Sequence, residues 1–186
     1  MRYRSGTKAT NCQAPGAGLP QAVEGPGVSS NYRVALAPQT WNLIRSTRSG
    51  SAVFMMRSGP MKCAGAPQKI AYLAADHWRK QGVLNKMDIH LVVTTPRIFG
   101  IPAIADNLDT VIAGYGVHLH TLSEITAVDP DSRKVTLSAV AEGGSDTVLD
   151  YDMFHAVPRQ SAPDWIKAKK YGLPFMYWNL MLKGVA

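Results

Sequence analysis

The chain has 186 residues, 46% of them hydrophobic and 18% charged, enough for one domain with a real core and too few for two large ones. Its net charge is +7, yet the Lys and Arg residues are scattered and form no stripe, so nucleic acid is not indicated as a partner; contact with an anionic membrane surface explains the charge at least as well. Two cysteines, Cys12 and Cys63, exclude a disulfide-dense scaffold and a four-cysteine zinc centre, the basic opening MRYRSGTK lacks an apolar signal core, and no apolar run is long enough to span a bilayer.

Residues 1–17 are poor in large apolar side chains and read as a flexible leader. GLPQAVEGPGVSSNY (18–32) is punctuated by Pro20, Gly25, Pro26 and Gly27 and reads as loop. A short helix is expected from Pro38 to about Arg48, with Trp41 and Ile44 on one face. From residue 51 the pattern becomes regular. SAVFMM (51–56) has strand length. The run from Pro67 to Gln81 places Ile70, Leu73, Ala74 and Trp78 at helical spacing, with Pro67 suited to a first turn and Gly82 to a stop. DIHLVVTT (88–95) is a second buried strand, IPAIADNLDTVIAGYG (101–116) a second helix ended by glycines, and VHLHTL (117–122) a third strand. ITAVDPDSRKVTLSAV reads as a hairpin turning at Asp129-Pro130-Asp131, and a further strand is expected around 148–158.

Strand, helix, strand, helix, strand predicts right-handed crossovers and a parallel sheet covered on both faces. The expected fold is a three-layer, Rossmann-like α/β unit (βαβαβ) with an appended antiparallel meander. The last stretch, YGLPFMYWNLMLKGVA (171–186), crowds Phe175, Met176, Tyr177, Trp178, Leu180, Met181 and Leu182 together behind Lys167, Lys169 and Lys170. It is too short to span a bilayer. An amphipathic helix lying among lipid headgroups and a helix docked on protein both fit it.

Chemistry concentrates at MKCAGAPQK (61–69), where Cys63 sits in the turn between a strand and a helix. A helix start and the adjacent Lys62 favour a thiolate, which is the nucleophilic form, and Gly65, Ala66 and Pro67 leave room beside the sulfur. A half-buried structural thiol is the competing reading. His118 and His120 alternate on one strand and face the same side, as two metal ligands would, but nothing nearby in sequence completes a set, and a solvated or hydrogen-bonded strand face is expected instead of a metal. Asp76 and His77 read as helix surface and flank. Neither G-x-G-x-x-G after a strand nor a Walker-type loop occurs; GAGLP (16–20) is spoiled by Pro20 and its loop-like continuation.

KCAGAPQKIAYL (62–73), IFGIPAIADNL (98–108), the upstream GLP with GPGVSSNY, and PFMYWNLMLKG near the C-terminus occur in an order that resembles the sulfide:quinone oxidoreductases of mitochondria and bacteria. The resemblance covers about residues 18–166 and 169–184. It implies a flavoprotein disulfide-reductase architecture, with residues 18–166 as a Rossmann-like second domain and 167–186 as a membrane-interface segment. It also implies FAD as cofactor, hydrogen sulfide and quinone as substrates, and peripheral attachment to a membrane (mitochondrial inner or bacterial cytoplasmic). By the same resemblance Cys63 falls on the first redox cysteine, which takes up sulfide as a persulfide or trisulfide, and Lys69 on a lysine of the site. Lys62, Gly65 and Pro158 fall beside the flavin, the last within HAVPRQSAP (155–163), where Arg159 replaces the second proline of a His-x-x-Pro-Pro pattern. Lys169, Lys170, Phe175, Tyr177 and Trp178 fall on the quinone and membrane end.

The family's FAD pyrophosphate loop and its second redox cysteine have no counterpart here, Cys12 lies in the unmatched leader, and Gln21 replaces a glutamate after GLP. The chain is therefore expected to be a truncated, internally deleted member. Its own FAD binding is expected to be weak or absent, and the chain alone inactive. The alternative is a non-catalytic α/β remnant that binds a membrane or partner through its C-terminus.

Overall fold

The computed structural model describes residues 23, 25–58, 63–140 and 144–158. They lie within one compact unit, residues 14–158. The leader, Cys12, Lys62 and the whole C-terminal stretch from Arg159, with Lys169, Lys170, Phe175, Tyr177, Trp178 and the expected amphipathic helix, lie outside the described residues.

The chain order is β1 (Val28–Ser29), α1 (Ala37–Ser46), β2 (Gly50–Met55), α2 (Ala66–Lys80), β3 (Met87–Val92), α3 (Pro102–Tyr115), β4 (Val117–His120), β5 (Ser123–Asp129), β6 (Lys134–Ala139), β7 (Thr147–Asp150) and β8 (Met153–His155). Each helix begins with a proline in its first turn, where the missing N–H costs nothing. Gly116 closes α3 in the left-handed conformation at φ 68°.

Two sheets form: a five-stranded one in the order β1-β8-β2-β3-β4, parallel throughout, and the antiparallel meander β5-β6-β7. The α/β parallel sheet with its meander agrees with the sequence reading, but the layers are filled differently. From β1 to β2, β3 and β4 the chain always steps in the same direction, and right-handed crossovers then leave all the helices on one face. On that face Trp78, Ala71, Ala74 and Ala75 of α2 pack with Ile44 of α1, Ile112 of α3, and Phe54, Ile89, Leu91 and Val117 of the sheet. The indole N–H of Trp78 donates to the Ile44 carbonyl at 2.9 Å and ties α2 to α1. The other face, formed by Val53, Met55, Val92 and Phe154, is covered by Ile125, Val128, Val135 and Leu137 of the meander. The meander is therefore the third layer itself and not an appendage.

Residues 148–158, expected as one strand, serve both sheets. β7 closes the meander, the chain bends at Tyr151–Asp152, and β8 inserts between β1 and β2. Asp152 makes this possible. Its carboxylate accepts from the Ser51 backbone N–H at 2.9 Å, and its own N–H donates to the Ser51 carbonyl at 2.8 Å. Two glycines admit it: Gly27 (φ 78°), where a Cβ would stand 2.7 Å from the Asp152 carbonyl oxygen, and Gly50 (φ 100°), where a Cβ would run into the Asp152 carboxylate. The segment read as loop contains β1, two residues held parallel to β8.

Candidate active site at the carboxyl edge of the sheet

In a parallel α/β sheet the loops leaving the carboxyl ends of the strands form the ligand-facing edge. Here that edge gathers Ser29 to Tyr32 after β1, His155 to Pro158 at the end of β8, Met56 to Ser58 after β2, and Cys63 to Gly65 leading into α2. Cys63 is a free, exposed thiol in the β2–α2 connection, as expected, and its carbonyl accepts the Ala66 N–H at 3.2 Å. Gly65 is the residue before α2, and among the described residues nothing beyond its chain neighbours lies within 4 Å of where a Cβ would stand. Lys69 is exposed one turn into the helix, with its N–H on the Gly65 carbonyl at 3.0 Å, while Pro158 is buried just after β8.

Three residues at this edge escaped the sequence reading as site members. Tyr32 is half-buried, with burial and then the nearby Cys63 pushing its phenol pKa up; its hydroxyl has no hydrogen-bond partner among the described residues. His155 is completely buried and lies against Phe54 with ring centroids 6.2 Å apart. Its Nε2 accepts the Asn31 backbone N–H at 3.2 Å, which fixes the proton on Nδ1. Burial drives its pKa down to about 4, opposed only by a backbone hydrogen bond within the residue. It is neutral at pH 7. Arg57, 4% exposed, stands 4.0 Å from Glu124, whose carboxylate also accepts from Ser58 Oγ at 2.6 Å and so ties the end of β2 to the meander.

Gln68, 1% exposed, locks the start of α2. Its amide donates to the Ala64 carbonyl at 3.1 Å and to the Ile98 carbonyl, and accepts from Tyr72 Oη at 2.9 Å. A glutamine on a predicted helix carries no signal of burial, which is why it was missed. Asp76 is helix surface, as read, held well below the usual carboxylate range by its hydrogen bonds to Lys80 and Arg79. His77 meets Trp41 edge-on at 4.9 Å beside the groove between α1 and α2. His118 and His120 face one side of β4; His118 Nε2 stands 3.2 Å from an Asp88 oxygen, and His120 Nε2 is hydrogen-bonded to His90 Nδ1 of β3 at 3.0 Å.

No family model matches the chain. Among curated proteins it is 35% identical to the mitochondrial sulfide:quinone oxidoreductase of Mus musculus over 150 residues, covering 81% of this chain and 33% of that protein. To the protein of the same name from Schizosaccharomyces pombe it is 31% identical over 153 residues, covering 80% of this chain and 33% of that protein. The chain is homologous to the sulfide:quinone oxidoreductases. It spans about a third of the length of these curated relatives. The fold agrees with solved structures. The sulfide:quinone oxidoreductase of Aquifex aeolicus superposes with a TM-score of 0.68 at 14% identity, covering 86% of this chain and 37% of that one. An FAD-dependent pyridine nucleotide-disulphide oxidoreductase from Desulfovibrio vulgaris gives 0.52 at 18% identity, covering 88% and 36%.

FAD would need a phosphate cradle: a tight glycine turn feeding a helix N-terminus. None of the three strand-to-helix connections (30–36, 56–65 and 93–101) carries G-x-G-x-x-G. The proline in the first turn of each helix also removes a backbone donor that a pyrophosphate would use. The described residues do not fit the dinucleotide's phosphates by themselves.

Proposed function

We propose that this chain is a fragment of an FAD-dependent sulfide:quinone oxidoreductase, carrying the cysteine that takes up sulfide. The observation that carries this reading is Cys63: an exposed thiol at the carboxyl edge of the parallel sheet, within a sequence shared with relatives of that name. By the likeness to these relatives, Lys69, Lys62, Gly65 and Pro158 belong to the same site, with Lys69 contributing positive charge. In the whole enzyme FAD would supply the two-electron oxidation that sulfide sulfur undergoes at the cysteine, and quinone would accept that electron pair; this chain's share is the thiol of Cys63. This chain alone is expected not to turn over, because its described residues include neither a flavin cradle nor a second cysteine beside Cys63. Residues 171–186, with Lys169 and Lys170 ahead of them, form the peripheral membrane contact. A mitochondrial location follows the relatives' names, and no helix among the described residues is long and apolar enough to cross a membrane.

The test is a chimera in which residues 18–158 replace the matching stretch of the mouse enzyme. The chimera should retain flavin and reduce quinone when given sulfide, and Cys63→Ser should abolish that activity. The 186-residue chain on its own should leave gel filtration colourless. A flavin-loaded chimera that is inactive, or that stays active in Cys63→Ser, refutes the assignment.

A further inference from the structure

A group of polar rings lies on the parallel sheet away from Cys63, on strands that the proposed chemistry does not use. β3 and β4 pair in parallel with His90 opposite His118 and Val92 opposite His120. Ile89, Leu91 and Val117 point into the helix-side core, so strand alternation sends Asp88, His90, His118 and His120 to the other face. There β4 is the edge strand, and the rings stand together. His90 lies 5.3 Å from His118 and 5.2 Å from His120 between ring centroids.

Asp88 Oδ2 stands 3.1 Å from His90 Nε2, and its other oxygen stands 3.2 Å from His118 Nε2. A proton on His90 Nε2, the nitrogen beside this carboxylate, leaves the lone pair of Nδ1 free. That lone pair faces His120 Nε2 at 3.0 Å. A carboxylate on the far nitrogen of a histidine is the arrangement that orients metal-binding imidazoles and raises their basicity. Two nitrogens each about 2.0–2.1 Å from one ion stand about 2.9 Å apart at a right angle and about 3.4 Å apart at the tetrahedral angle. The observed separation is close to the right angle.

We propose that His90 Nδ1 and His120 Nε2 form a two-histidine site for a divalent transition ion of tetragonal preference, copper(II) or nickel(II), with Asp88 positioning His90 from behind. Binding moves the proton of His120 from Nε2 to Nδ1 and changes no oxidation state. Among the described residues no three His, Cys, Asp or Glu side chains are gathered closely enough to hold an ion alone, so water completes the coordination. His118, with 63% of its side chain exposed, stays on Asp88 outside the coordination set.

Nickel(II) titration of the full chain by calorimetry tests this, alongside a chain with both cysteines changed to serine so that thiol binding is separated. One ion should bind per chain, with and without the cysteines. His120→Gln should weaken binding at least tenfold, and Asp88→Asn should weaken it by roughly 10–100-fold, the cost usual for losing such a supporting carboxylate. His77→Gln, on the opposite layer, should leave it unchanged. Circular dichroism melts establish that each variant is folded. Because His90 is buried and His90→Gln risks the fold, the partly exposed His120 and Asp88 carry the decision. No binding at millimolar nickel, or equal affinity in His120→Gln, overturns the proposal.

Discussion

His155 concentrates the physics of the edge in one side chain. A fully buried imidazole whose Nε2 accepts the Asn31 N–H stays neutral, and its pKa falls to about 4 against an ordinary value of 6.5. The folded-state value is depressed, so protonation favours the unfolded chain. The contribution of His155 to stability is complete above about pH 6.5 and is lost progressively as the pH falls towards about 4. The full span is on the order of 3 kcal/mol. In His155→Gln the urea midpoint should vary less between pH 6.5 and 4 than in the parent. Parallel pH profiles for the two proteins, or an imidazole that titrates near 6.5 by NMR, would show that the ring is not held as described. The sequence marked His155 only through the family's proline pattern; its burial comes from the insertion of β8 between β1 and β2, which no local pattern announces.

At the scale of elements, the turn that carries Cys63 is held by α2, and α2 by Gln68. Both amide hydrogens and the carbonyl oxygen of this buried side chain are engaged, spanning the Ala64 turn, the 93–101 loop at Ile98, and Tyr72, whose phenol is pushed up to about 12 by burial and then by Asp109. Gln68→Met keeps the volume and removes the bonds. It should destabilise the fold by about 1–3 kcal/mol, the usual cost of orphaning buried polar groups. Amide exchange should quicken at Lys69 and Ala105, whose N–H groups form the first hydrogen bonds of α2 and α3. A midpoint shift within experimental error would place the anchoring elsewhere. The alternation of apolar positions located α2 and its proline start, yet gave Gln68 no weight, since period alone does not separate a buried glutamine from a solvated one.

At the scale of the whole molecule, the unidirectional strand order gathers the helices on one side and leaves an apolar sheet face that the meander must cover. In the proposed reading, residues 171–186 serve a membrane surface. Burying Phe175, Trp178, Leu180 and Leu182 at roughly 1.5–3 kcal/mol per large side chain suffices for reversible attachment to an anionic bilayer. Co-sedimentation with anionic liposomes should therefore be lost on deleting 171–186 and weakened by salt through Lys169 and Lys170. Attachment that persists in the deletion would point to the basic charge of the rest of the chain instead.

The sequence by itself determined the local elements and their order. Proline at helix starts, glycine after α3, and the Asp129-Pro130-Asp131 turn act within a few residues, where backbone sterics and hydrogen bonding decide. It also placed Cys63 between β2 and α2, because a strand-length apolar run and a helical period flank it. Only the tertiary structure decided which layer covers which face, that residues 147–155 divide between two sheets, that β1 is a strand at all, and that His90 of β3 meets His120 of β4. These depend on pairing between residues far apart in the chain. A two-residue strand such as Val28–Ser29 has no period to read and exists only because β8 offers it a partner.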